Sequence, residues 1–178
     1  MTYMWILLAL SLAVSSVGWY YFIYFFSIGY GLSISVLSVA TAIIFHDVIT
    51  LPIALLCAVL FIYGIRLALY LFIRERKSEA YKKILYQPES TKKKPAFVMT
   101  MIWLMCALLY VGQISPATFY LYNITEGQPV NDAWAWAGTI VAALGIAIEA
   151  IADAQKSRAK KVNPKRYVDT GLYRIVRC

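Results

Sequence analysis

Two stretches of this 178-residue chain hold ionisable side chains among apolar neighbours. In "IEAIADAQKSRAKK", residues 148–161, Glu149, Asp153, Lys156 and Lys160 fall at offsets of 0, 4, 7 and 11, one face of a helix. In "FIYGIRLALYLFIRERK", residues 61–77, Tyr63 and Arg66 lie three apart and share a face in the same way. An ionisable group at membrane depth costs about 2.5–3.5 kcal/mol on insertion scales and persists where it has a partner or lines a cavity. Lys156 and Lys160 read equally as ordinary helix-end pairing of acids with bases and as part of a functional face. Glu149 lies a turn deeper than Asp153 and calls for donors from another helix or from a ligand, such as a ribose or an amide. Arg66 stands about two turns from the basic end at Arg74. Arg66, Arg74 and Arg76 read either as a snorkelling ladder or as a graded series of cations for a phosphate-bearing ligand, onto whose oxygens a guanidinium forks with two parallel hydrogen bonds. Gln113 is a further polar residue inside an apolar run.

The elements that must position these groups are membrane helices. Hydrophobic residues make up 61% of the chain and charged ones 15%, with a mean hydropathy of +0.66, against roughly 45–50% and about 25% in soluble domains. An integral membrane protein follows, as a single embedded all-α domain over residues 1–178. Apolar runs of membrane width predict a polytopic bundle with spans near 4–26, 29–46, 51–73, 97–114 and 133–154. The second is short and rich in Ser and Gly, which predicts close packing inside the bundle. The "SIGYG" of residues 27–31 is expected to supply the turn before it.

Of the 17 Lys and Arg, eight lie between Arg74 and Lys94 and eight between Lys156 and Arg177. A net charge of +8 could indicate nucleic acid. The apolar flanks instead make the basic segments 74–96 and 155–178 cytoplasm-facing, by the positive-inside tendency. The third span then runs inward, the fourth outward and the fifth inward, with the N-terminus external. Lys92–Lys94 read as anionic-lipid contacts. The opening "MTYMWILLALSLAVSS" lacks the cationic start of a secretory signal and continues apolar, so it reads as a retained span. Residues 115–132 are expected to form an external loop, in which "NIT" at 123–125 is a glycosylation acceptor only in a eukaryote. Cys57, Cys106 and Cys178 have no disulfide or zinc spacing, and the lone His46 beside Asp47 reads as an interfacial polar pair rather than a metal ligand.

Together the two stretches carry a family resemblance. "IEAIADAQKSRAKK", followed by "DTGLYRIVRC", resembles the C-terminal signature of membrane reductases related to steroid 5-alpha-reductase, in particular bacterial relatives of unassigned substrate. Glu149, Asp153, Gln155, Gly171, Leu172 and Tyr173 match that signature, and "YGIR" at 63–66 is similar to the family's Tyr-x-x-Arg. Gln113 resembles a glutamine that lines the pocket in relatives. The resemblance covers roughly residues 55–178 and implies hydride transfer from NADPH to the C=C of a lipophilic α,β-unsaturated carbonyl, a steroid or another lipid enone. It makes Tyr63 the acid at the carbonyl oxygen, and Arg66, Arg74, Glu149, Asp153, Lys160, Tyr173 and Arg174 the cofactor-binding set.

This sequence departs from the family in two places. It stops at Cys178, where relatives carry His and continue into Pro-Asn-Tyr, Gly-Glu and further helices, so a C-terminally truncated chain is expected. The human-type enzymes also pair their tyrosine with a glutamate on an earlier helix, and here only Asp47 offers an acid in that region. The alternatives are an isoprenylcysteine-type methyltransferase using S-adenosylmethionine, whose sulfonium would leave the arginines without phosphates, and a non-catalytic membrane fragment. Substrate identity and oligomeric state stay open.

Overall fold

The computed structural model describes residues 2–77, 95–163 and 167–174. Among the described residues it is an all-α bundle of five α-helices: α1 (Thr2–Ser15), α2 (Ile28–Ile44), α3 (Leu51–Lys77), α4 (Ala96–Thr125) and α5 (Asp132–Val162). Among the described residues five segments are long and apolar enough to cross a membrane, Thr2–Trp19, Phe22–Ile44, Leu51–Arg74, Ala96–Thr125 and Asp132–Val162. The protein is therefore a multi-pass membrane protein. Lys82, Lys83, Lys92–Lys94, Arg177 and Cys178 lie outside the described residues.

The first reversal differs from the sequence expectation. No single helix covers 4–26; α1 gives way to 3-10 turns at Ser16–Trp19 and Phe22–Phe25, with Tyr21 extended between them at φ −137° and ψ 125°. The "GWYYF" of 18–22 makes the reversal, and Gly18 is small because the Phe25 ring lies where its Cβ would stand. "SIGYG" leads straight into α2. Its glycines serve packing instead of a turn: a Cβ on Gly31 would come within 2.7 Å of the Gly64 carbonyl oxygen of α3. Ser35 completes the seam, its hydroxyl donating to the carbonyls of Gly31 and Phe61 at 3.1 Å each. The contact of α2 with α3 is the most extensive in the bundle, as the small residues of the second span predict.

The fourth helix runs on to Thr125, through Pro116, where a loop from 115 was expected. Proline has no N–H for the carbonyl four residues back, which is that of Gly112. Ser115 supplies the missing donor, its hydroxyl reaching the Gly112 carbonyl at 2.7 Å, so the helix continues without an orphan acceptor in lipid. The connection to α5 shrinks to 126–131, and "NIT" falls in the last turn of α4. Asn131 caps α5 by accepting the Ala133 N–H at 2.9 Å. At the far end α5 runs on to Val162, taking Lys156, Lys160 and Lys161 into the helix.

Side-chain hydroxyls and an indole tie the bundle across helices. Ser11 donates to the Ala107 carbonyl at 3.1 Å, Trp103 Nε1 to Leu12 at 3.0 Å, and the Tyr110 hydroxyl to Phe25. Thr139 of α5 reaches the Pro52 carbonyl of α3 at 3.0 Å. Leu7, Phe25, Leu37 and Tyr63 belong to one core cluster, and Phe45, Ile53 and Leu121 to a second. His46 and Asp47 form an exposed pair at 3.0 Å.

Although α5 follows α4 closely in sequence, the two make no extended contact, and α5 packs instead on α3. Cross-links from Pro52–Thr139 to Tyr70–Ser157 keep a sequence separation of 86 or 87 throughout. A constant separation means that α3 and α5 run parallel and in register. Their basic ends therefore lie at the same end of the bundle.

Candidate functional site

Parallel register turns the two sequence motifs into a ladder. Tyr63, Arg66 and Tyr70 present one flank of α3, and Glu149, Asp153 and Ser157 present one flank of α5, each set at three- to four-residue spacing. The Tyr63 hydroxyl donates to the two Glu149 carboxylate oxygens at 3.1 and 3.3 Å. One turn further, Arg66 Nη2 meets Asp153 Oδ2 at 2.8 Å. Beyond that the Tyr70 and Ser157 hydroxyls are 3.1 Å apart, and the Arg74 guanidinium lies 5.7 Å from the centre of the Tyr70 ring.

These contacts resolve what the sequence left open. The donor for Glu149 is a side chain of another helix, Tyr63. Arg66 is held by Asp153 rather than by snorkelling to the interface. The two belong to the predicted cofactor set and are partners of each other; with side chains 30% and 24% exposed, they lie between water and the closed interior. Arg66 Nη1 is buried and makes no hydrogen bond among the described residues. One prong of the fork thus remains for an anionic oxygen. Arg76 stands over the Phe72 ring at 4.5 Å, and Lys160 lies in the last turn of α5.

Tyr63 and Glu149 open onto a cavity of about 270 Å³ bounded by α2, α3, α4 and α5. Tyr30 and Gln113 also line it, the latter as the resemblance implies, and the remaining lining is apolar. Tyr30 sits edge-on to Tyr63, with ring centres 6.5 Å apart. Sequence reasoning did not single out Tyr30, Tyr70 or Ser157. Tyr70 and Ser157 continue the helical spacing of the two motifs, a readable signal; Tyr30 has none, because it comes from a different helix.

Tyr173 and Arg174 lie on a 3-10 turn, Gly171–Arg174, that packs on α5. Gln155 docks this turn, its Oε1 accepting the Leu172 N–H at 2.9 Å. Asp153 and Gln155 are roughly 200° apart around the helix, so the turn is anchored on a flank of α5 away from the Arg66–Asp153 rung. The structure thus brings Tyr63, Arg66, Glu149 and Asp153 together, and seats Tyr173 and Arg174 separately. Gly171 has φ +65°, and any Cβ there would meet the Gln155 carboxamide. Gly171→Ala is therefore expected to cost roughly 1–2 kcal/mol from the left-handed backbone alone. Hydrogen exchange at the Leu172 amide should rise about tenfold or more in the variant.

No cluster of His, Cys, Asp and Glu suited to a metal ion occurs among the described residues. No curated protein and no solved structure matches the chain. The family described as a protein of unknown function, DUF1295, matches residues 23–178. That match runs from the first reversal through the Tyr63–Glu149 and Arg66–Asp153 rungs to the docked C-terminal turn, and by it the chain belongs to the DUF1295 family of proteins of unknown function.

Proposed function

We propose that the protein is a membrane reductase that adds hydride and a proton across the C=C of a lipophilic α,β-unsaturated carbonyl. The observation that carries this reading is the Tyr63–Glu149 pair facing a largely apolar cavity, one turn from a half-buried Arg66–Asp153 pair. The resemblance of "YGIR" and "IEAIADAQ" to the steroid 5-alpha-reductase relatives supports it independently.

Residues of this chain fit NADPH. Arg66, with its unpartnered buried Nη1, and Arg74 would hold phosphate oxygens, and Asp153 would accept from a ribose hydroxyl. Lys160, in the last turn of α5, would stand at the outer side. When bound, NADPH supplies the hydride that adds to the β-carbon. Negative charge then grows on the substrate oxygen, and Tyr63 donates a proton to it in a largely apolar cavity. Glu149 is the next group in the relay: it accepts from the Tyr63 hydroxyl at 3.1 Å and would hand on the proton that restores Tyr63 after the transfer. The positive-inside tendency assigns that end to the cytoplasm and the N-terminus to the outside.

Titration of the detergent-solubilised chain with NADPH and, separately, with S-adenosylmethionine tests the reading. NADPH is expected to bind and S-adenosylmethionine to show no saturable binding. Preference for S-adenosylmethionine would replace the reductase with a methyltransferase, and binding of neither would leave a non-catalytic membrane protein.

A further inference from the structure

The seam between α2 and α3 brings a second tyrosine to the cavity wall. A Cβ on Gly64 would come within 2.3 Å of the Gly31 carbonyl oxygen, so the two backbones touch at these glycines. The residue before each glycine is a tyrosine, Tyr30 on α2 and Tyr63 on α3. Both line the cavity. Their rings meet edge to face at an interplanar angle of 79°, and the two hydroxyls interact.

Tyr30 is fixed on its other side as well. The ring of Tyr110, on α4, lies 5.4 Å from it between centres, and the buried Tyr110 hydroxyl is itself held by the Phe25 carbonyl. Tyr30 is thus clamped between two core tyrosines by contacts among α2, α3 and α4, independently of α5. Packing alone would be met by a phenylalanine ring. The hydroxyl adds a donor beside Tyr63, and a donor already in place needs no reorganisation when charge develops in front of it.

We infer that Tyr30 is a second catalytic hydroxyl, donating a hydrogen bond to the same substrate carbonyl oxygen that Tyr63 protonates and keeping its own proton throughout. This rests on the reductase reading. The hydride forms the new C–H bond at the β-carbon, the C=C pair moves to the bond between the α-carbon and the carbonyl carbon, and the C=O pair moves onto oxygen. Tyr63 turns that enolate into an enol, which takes a proton at the α-carbon as the oxygen gives one up. A carbonyl oxygen has two lone pairs and accepts from both phenols at once. The roles divide by helix: Glu149 of α5 serves the hydroxyl of Tyr63, which transfers its proton, and Tyr30 of α2 only spreads the charge.

The test binds an uncharged alkyl enone with an isotope-labelled carbonyl to the full chain in lipid nanodiscs, without NADPH, and reads the carbonyl stretch by infrared difference spectroscopy. Each hydrogen bond that a carbonyl accepts lowers its stretching frequency. The bound probe is expected below its frequency in protein-free nanodiscs. Tyr30→Phe keeps the ring against Tyr63 and Tyr110 and should move the band part of the way back; Tyr30→Phe with Tyr63→Phe should restore the protein-free frequency. Single-turnover reduction under saturating NADPH should fall about 10²-fold in Tyr30→Phe, the scale for losing one donor to a developing oxyanion, with NADPH affinity unchanged. If Tyr30→Phe lowers thermal stability, a ring-fluorinated tyrosine at position 30 checks the result: its more acidic hydroxyl should lower the band further, which a packing role would not do. A wild-type band unshifted from the protein-free frequency, or a band that neither variant of Tyr30 moves, would overturn the inference. A shift that Tyr30→Phe diminishes, in a chain that binds no NADPH, would support the two-donor carbonyl site while removing the reductase reading. Reduction at the wild-type rate by Tyr30→Phe would retain the reductase and make Tyr30 a packing residue.

Discussion

Tyr63→Phe is expected to lower NADPH-dependent enone reduction by about 10²–10⁴-fold, the usual range for loss of a general acid, while NADPH binding stays within about twofold because the hydroxyl faces Glu149 and the cavity. Phenylalanine keeps the ring that packs against Tyr30 and removes only the donor, so the bundle should survive. Glu149→Gln separates the relay from simple orientation. An amide oxygen still accepts from Tyr63 but has no carboxyl proton to return, so the rate should fall while the melting temperature holds. Single-turnover rates of lipid enone reduction under saturating NADPH measure both variants. Wild-type rates in Tyr63→Phe would remove the phenol from the chemistry and leave it as a packing residue.

The second large effect belongs to the Arg66–Asp153 rung. Asp153→Ala strands a half-buried guanidinium that already has one unpartnered nitrogen. Breaking a fully buried pair from one side costs about 3–5 kcal/mol; partial exposure of both groups lowers the expected loss to about 2 kcal/mol. The double variant Arg66→Leu with Asp153→Leu should recover most of that stability, since two apolar groups leave no uncompensated charge. NADPH affinity should not recover with it. Thermal unfolding and NADPH titration on the two single variants and the double variant separate the roles: stability and affinity rising together in the double variant would make the rung purely structural.

Several features were legible in the sequence because they follow from local rules. Apolar runs of membrane width indicated five spans, and the two basic clusters indicated that the third and fifth helices share a direction. Helical spacing put Tyr63 with Arg66 and Glu149 with Asp153 on one face each, and the depth of Glu149 called for a donor from elsewhere. The helix ends were not legible. In a lipid-facing chain, hydrophobicity persists through turns and past prolines, so composition did not mark the break at 15–28 or the passage of α4 through Pro116. Ser115 made that passage possible through a hydroxyl contact that no periodicity records.

The sequence by itself thus determined that this is a membrane bundle, which residues carry charge at depth, and which face of each helix bears them. Only the tertiary structure decided that Glu149 serves Tyr63 and Asp153 serves Arg66. The physical reason is that pairing between helices depends on axial register, and register is set by contacts distant in sequence: Gly31 against Gly64, Thr139 on the Pro52 carbonyl, and α5 turning from α4 to lie along α3. A shift of one residue along α5 would carry each carboxylate roughly 100° around the helix and away from its partner.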